Sequence, residues 1–197
     1  MKYKDKRRLL AGISIFILFI FYLFQNLSNS IRIGGFIFGL VVFYFLDYMF
    51  EIDFKLKHYY YILIILVLGI LFSPLYSLYT IYDKILHFVM PIFGCLLIFH
   101  IIDKKDLSLS WKLWITFMFI ISFLALHEIG EYLIDQLWGL NLQGVYIRDI
   151  TGITKLNLLV SKIDDTMIDL ILGVLGAMLF VVGKSIGHFY NKLKKKK

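Results

Sequence analysis

The sequence predicts an all-α, polytopic membrane protein: a bundle of about six transmembrane helices with both termini in the cytoplasm. Three observations predict it. First, 60% of the 197 residues are hydrophobic and the mean hydropathy is +0.80. A soluble domain is nearer about 45–50% apolar, so there is too little polar surface here to cover a water-soluble globule. Second, the apolar residues form continuous runs near or above the roughly 18–20 residues a helix needs to cross a bilayer. Barrel strands would instead show alternation over about ten residues. Third, the positive charges segregate to one side of the topology that the runs define.

The elements follow in order. Met1–Arg8 is basic and the run after it is apolar, but no small-residue cleavage site precedes Gln25-Asn26-Leu27-Ser28-Asn29. Residues 9–27 therefore read as a retained first helix rather than a signal peptide. The next runs span 33–50, 59–72, 82–102, 111–137 and 165–187; the third is short and sits thin in the bilayer or partly at its interface. The outer loop over 138–163 is the longest connection. Trp138, Leu140, Val145, Tyr146 and Leu158 make it too apolar for a solvated linker, and Gly139, Gly144 and Gly152 supply bends. It is expected to fold back over the helix ends or lie on the membrane surface, as long ordered loops often do. A basic tail, 192–197, closes a single membrane domain, 1–197, and suits contact with anionic lipid.

With the N-terminus inside, all but five of the 21 Lys and Arg lie on the inner side, the exceptions being Arg32, Lys84, Arg148, Lys155 and Lys162. The acids divide the other way: Asp83, Glu128, Glu131, Asp135, Asp149, Asp164, Asp165 and Asp169 all fall outside. The formal charge of +7 is thus a positive-inside signature and not a nucleic-acid footprint. The expected location is the cell membrane, the expected partner the lipid bilayer, and no nucleic acid. The one cysteine, Cys95, lies in an apolar run, which excludes a disulfide framework or a thiolate metal motif and makes it a small packing residue. Asp47 and His58, near membrane ends, read as interfacial.

One constellation carries chemistry. Asp83 and His87 are four apart on the fourth helix; His127, Glu128, Glu131 and Asp135 share a face of the fifth; Asp165 and Asp169 are four apart on the sixth, with Asp164 alongside. The fourth and sixth helices enter from outside and the fifth exits there, so all three groups fall within about two turns of the outer boundary. Ionisable groups at that depth cost about 2.5–3.5 kcal/mol each on insertion scales and face a bundle interior or a wet cavity. Several carboxylates brought together need a shared proton or cation. His87, His127, Lys84 or Arg148 offset part of the charge, and a divalent metal offsets more, since carboxylate–imidazole sets on facing helices are a common way to hold one. Helix capping accounts for Asp164 and competes for Asp83 and Asp165, but it does not explain His87, Glu128, Glu131 or Asp169. The metal set is accordingly His87, Glu131 and Asp169, with Glu128, Glu131 and Asp165 as candidate catalytic carboxylates. Asp83, His127, Asp164 and Arg148 complete the site.

Three motifs carry a resemblance: Tyr82-Asp83-Lys84-Ile85-Leu86-His87-Phe88, Glu128-Ile129-Gly130-Glu131-Tyr132, and Asp165-Thr166-Met167-Ile168-Asp169 followed by Gly176-Ala177. In this order they resemble the YjdF-type family of bacterial and archaeal inner-membrane proteins and, more distantly, are similar to VanZ-like proteins. The resemblance covers about Tyr82 to Phe180; the first three helices match only in being apolar. Glu131 stands where VanZ-like proteins tend to have Gln and Asp169 where they tend to have Asn, and the loop with Arg148 is longer, which favours the YjdF-type relatives. The resemblance implies which residues matter and an inner-membrane location, without an activity.

Three functional readings fit these residues. The first is a metal-dependent enzyme acting at the outer leaflet on a lipid or lipid-linked phosphate, with a metal on His87 and its carboxylate partners, another carboxylate as base and Arg148 on the phosphate. No zinc-protease HExxH is present, since Glu131 and Tyr132 stand where the second His of His127-Glu128 would have to be. The second is a cation, proton or headgroup binding or transport protein, for which a homodimer is the natural assembly. The third is an envelope scaffold whose acids form a structural ionic network.

Overall fold

The computed structural model describes residues 3–22, 27–139, 142–148 and 156–194. Among them lie six helices, α1 (Tyr3–Tyr22), α2 (Leu27–Met49), α3 (Leu56–Leu66), α4 (Thr80–Asp103), α5 (Leu109–Trp138) and α6 (Lys162–Lys194). A two-stranded hairpin, β1 (Val145–Arg148) and β2 (Leu156–Val160), a π-helical turn over Val67–Leu71 and a 3-10 turn over Ser73–Ser77 complete the described elements. The chain forms two compact units, 1–73 and 74–197.

Exposure is inverted relative to a soluble protein. Large apolar side chains such as Phe16, Phe38, Trp111, Leu126, Leu137 and Ile186 are exposed, while Asp47, His58, His87, Glu128, Asp135, Asp165 and Asp169 are buried. Apolar surface on this scale is what lipid solvates, and ionisable groups in a bilayer turn inward. Among the described residues, four stretches are long and apolar enough to cross a membrane: Arg32–Met49, Thr80–Asp103, Leu109–Trp138 and Lys162–Lys194. The apolar parts Leu9–Tyr22 and Leu56–Leu71 are shorter, the first because the opening turns of α1 carry the basic N-terminus.

In the first unit, Gly39 of α2 lets Leu66 of α3 approach so closely that a Cβ there would lie 2.5 Å from the Leu66 side chain. Helix α3 continues as a π-helical turn, Val67–Leu71. The link between α2 and α3 is organised by a buried acid: Asp47 accepts hydrogen bonds from the Phe54 backbone N–H at 3.2 Å and from the Tyr59 hydroxyl. Glu51 and Asp53 adopt left-handed φ of 46° and 51° to make this turn. The Phe43 ring stacks on Phe54 at 4.9 Å and meets Tyr59 edge-on at 5.3 Å. Asp47 and His58, expected at the interface, are 3% and 2% exposed, because the turn folds over them.

The second unit is a three-helix bundle. Its core is Cys95 and Phe99 from α4, Leu113, Ile120 and Leu124 from α5, and Ala177 and Phe180 from α6. Small residues set the spacing: a Cβ on Gly176 would collide with the Phe88 carbonyl oxygen of α4, and one on Gly173 would lie 2.5 Å from Leu124 of α5. Ser108 caps α5 by accepting from the Trp111 N–H, and Gly139 ends it at φ 62°, donating to the Asp135 carbonyl at 2.9 Å. Strands β1 and β2 pair antiparallel with Val145 opposite Val160 and Arg148 opposite Leu156, with a bulge between Val145 and Tyr146. The loop between α5 and α6 thus contains a hairpin that an all-helical reading does not include; its residues 140, 141 and 149–155, like the tail residues 195–197, lie outside the described residues.

Candidate functional site

The antiparallel run of the three helices in the second unit brings their polar turns to one end of the bundle. Asp83, Lys84 and His87 sit in the first two turns of α4, Asp165 and Asp169 in the first two of α6, and His127, Glu128 and Glu131 in the second half of α5. Residues far apart in sequence meet there because the close Gly176–Phe88 approach locks α6 against α4 just below the polar turns.

Lys84 is the hub. Its ammonium donates to Asp83 Oδ2 at 3.1 Å, to both Asp169 oxygens at 2.7 and 2.8 Å, and to Asp165 Oδ1. Its side chain is 16% exposed, while those of Asp165 and Asp169 are 5% and 3% exposed. A desolvated ammonium hydrogen-bonded by three carboxylates is a strongly interacting group, and its loss would strand buried charge. The sequence marks Lys84 as one of several possible counter-charges; the structure makes it the resident cation of the aspartates.

His87 lies between two sets of acids. Its Nε2 is 3.4 Å from Asp83 Oδ1 and 4.0 Å from Asp169 Oδ2, and its Nδ1 is 3.7 Å from Glu128 Oε1. Glu128 Oε1 is buried without a hydrogen-bond partner among the described residues, although the Thr166 hydroxyl hydrogen-bonds the same carboxylate. His127 Nε2 lies 3.4 Å from Glu131 Oε1, and its ring centroid is 5.6 Å from that of His87. Two groups offer donor atoms all within 4.8 Å of one another: His87, His127 and Glu128, and Asp83, His87 and Asp169.

A strap from the α5–α6 loop, Leu142–Gly144, crosses this end. The Leu142 and Gln143 N–H groups donate to Asp135 at 2.6 and 3.2 Å, and Lys162 pairs with the same carboxylate at 2.9 Å. The Gly144 N–H donates to Asp165 Oδ2 at 2.8 Å, and the Gln143 side-chain amide donates to Thr166 Oγ1 at 3.1 Å. Asp135 thus anchors the strap rather than joining the cluster. Tyr76, outside the long apolar helices, is half-buried; desolvation, then the Asp83 charge, push its phenol pKa up and keep it a neutral hydroxyl.

The sequence-predicted residues therefore separate. Asp83, His87, Glu128, Asp165 and Asp169 converge around Lys84, and His127 with Glu131 flanks them. In the set expected to hold metal, both Asp169 oxygens are committed to Lys84 and Glu131 faces His127. Asp164 is a helix-start residue: its N–H donates to Ser161 Oγ at 3.2 Å, and its carboxylate accepts from the same hydroxyl at 2.6 Å. Arg148 ends β1, and its side chain lies outside the described residues. Tyr76, Gln143, Gly144 and Thr166 escape a sequence reading, because nothing in their local pattern departs from loop or helix background.

The family model described as predicted membrane protein (DUF2238) matches residues 7–188. No curated protein and no solved structure matches the chain.

Proposed function

The chain belongs to the DUF2238 family of predicted membrane proteins, and from that premise we propose that it is a multi-pass protein of the cell membrane that binds a cation in the polar cluster at the outer end of α4–α6, with both termini cytoplasmic. One observation carries the reading. Lys84 satisfies Asp83, Asp165 and Asp169, yet Glu128 Oε1 is left buried with no hydrogen-bond partner among the described residues. The cluster holds more acid than its own ammonium neutralises, and excess buried negative charge attracts a cation or proton.

The same charge balance weighs against chemistry on a lipid phosphate. Among the described side chains near the cluster, Lys84 and Lys162 are both engaged by carboxylates, and a phosphate brought here would meet mainly carboxylates. Passage across the membrane is also disfavoured: toward the other end the bundle is filled by Cys95, Phe99, Leu113, Ile120, Leu124, Ala177 and Phe180. Below its polar turns the site ends on a packed apolar core.

The test is thermal unfolding of the purified protein in detergent, with chelator and then with a panel of divalent cations, beside cation uptake into proteoliposomes. Chelation should lower the midpoint, at least one divalent cation should restore it through ordinary linkage, Glu128→Gln should blunt the response, and the vesicles should show no uptake. A midpoint indifferent to every cation, or steady uptake into vesicles, would overturn the reading.

A further inference from the structure

Two donor groups share His87, and they differ in one respect that decides between them. In the set Asp83, His87 and Asp169, the Lys84 ammonium already lies between the aspartates, at 3.1 Å from Asp83 and 2.7 Å from Asp169. A mobile ion there would have to displace a tethered one. In the set His87, His127 and Glu128 no such cation stands among the described residues, and one ligand atom lacks any hydrogen bond.

The imidazole geometry sharpens this. Asp83 Oδ1 faces His87 Nε2 at 3.4 Å and Glu128 Oε1 faces Nδ1 at 3.7 Å, so each ring nitrogen looks at a carboxylate oxygen. Glu128 is only 5% exposed, and Oε1 has no other partner among the described residues. A carboxylate oxygen this deeply buried and without a hydrogen bond calls for a positive partner, and a metal ion on Nδ1, bound in place of a proton, supplies one. Ligands at about 2.0–2.1 Å from a tetrahedral zinc ion are about 3.4 Å apart, close to the separation observed. His127, half-exposed, brings a third donor to within 4.8 Å. Each imidazole also has a carboxylate on its far side or flank, Asp83 for His87 and Glu131 for His127, the outer-shell arrangement that orients metal-binding histidines.

We propose that His87 Nδ1, one ring nitrogen of His127 and Glu128 Oε1 form a three-ligand site for a borderline divalent transition ion of the zinc type, with a fourth position open beside His127. It rests on the cation-binding reading above and specifies the ion class and ligands. Two nitrogens and one oxygen suit zinc or cobalt, whereas magnesium and calcium demand oxygen donors. Asp83 is a positioning residue for His87 and not a ligand.

The experiment titrates the purified, detergent-solubilised full chain with Co2+, whose visible bands report tetrahedral coordination, and competes it with Zn2+ and Mg2+. The wild type should bind about one Co2+ per chain with tetrahedral bands, displaced by Zn2+ and not by Mg2+. Glu128→Gln and His127→Gln should lose the bands. Asp83→Asn should keep them at about 10–100-fold weaker affinity, and Asp169→Asn should keep them with affinity little changed. Circular dichroism and size-exclusion elution verify folding; should Glu128→Gln fail to fold, the half-exposed His127 carries the test. Cobalt bands that survive both His127→Gln and Glu128→Gln, or vanish in Asp169→Asn alone, overturn the assignment while leaving the broader cation reading standing. So does stabilisation by Mg2+ or Ca2+ with none by Zn2+ or Co2+. No binding of any divalent ion overturns both.

Discussion

At the scale of single residues, the site is a matter of which charge meets which. Lys84 follows Asp83 directly, so an exposed surface pair would be worth little. Here the same ammonium reaches Asp165 and Asp169 on another helix, with those two carboxylates almost wholly buried. Lys84→Met should therefore cost about 3–5 kcal/mol, the range for removing one partner from a buried ionic group. It should cost less in combination with Asp169→Asn, because fewer stranded charges remain. Denaturant unfolding of the single and double variants in one detergent measures this. Equal losses for Lys84→Met with and without Asp169→Asn would show that the two side chains act independently. The sequence makes these residues legible as a group, since ionisable side chains in apolar runs are rare. It does not show that Lys84 outranks His87 as the counter-charge to Asp169, because that depends on side-chain reach between helices.

At the scale of elements, packing of α4 against α6 places the cluster. Gly176 lies seven residues past Asp169, and its missing side chain lets the Phe88 carbonyl approach. Pro91, inside α4, cannot donate to the His87 carbonyl four residues back, which loosens the helix ladder beside the site. Gly176→Ala should push the helices apart at a cost of about 1–3 kcal/mol. Gly183→Ala meets nothing within 4 Å and should be neutral or stabilising by up to about 1 kcal/mol, as expected for Gly to Ala in a helix. Thermal midpoints of the two variants make the comparison, and a tolerated Gly176→Ala would mean the helices slide without loss. The helices themselves were legible from their apolar runs to within about two turns at their ends. The hairpin was not, because β1 and β2 are only 4 and 5 residues long and their pairing needs partners 15 residues apart at Val145 and Val160.

At the scale of the whole molecule, charge asymmetry and span length make separate statements about topology. Among the described residues, four stretches have the length and composition to cross, while Leu9–Tyr22 and Leu56–Leu71 fall short of the usual span. The positive charges nevertheless segregate as if all six cross, since the segments around Lys55–Lys57 and Lys104–Lys112 are both basic. Short spans are accommodated by local thinning at modest cost, so the charges should prevail. Reporter fusions at Lys55, Lys105 and the C-terminus should report the cytoplasm, and fusions near Leu27, Ser77 and Thr154 the outside. An outside reporter at Lys105 would place the acidic cluster toward the cell interior and remove the outer-face assignment.

The sequence by itself determined the helical character, the membrane setting and the membership of the cluster, because each follows from composition and period along one chain: apolar runs long enough to span, and acids and histidines at one-face spacings near the same depth. Only the tertiary structure decided the pairing. It gave Asp135 to the strap and both Asp169 oxygens to Lys84, and left Glu128 Oε1 facing His87. The physical reason is that a side chain's partner is set by distances of a few ångströms between helices, through the rotation of each helix and the closeness of approach at Gly173 and Gly176, quantities that spacing within one helix does not contain.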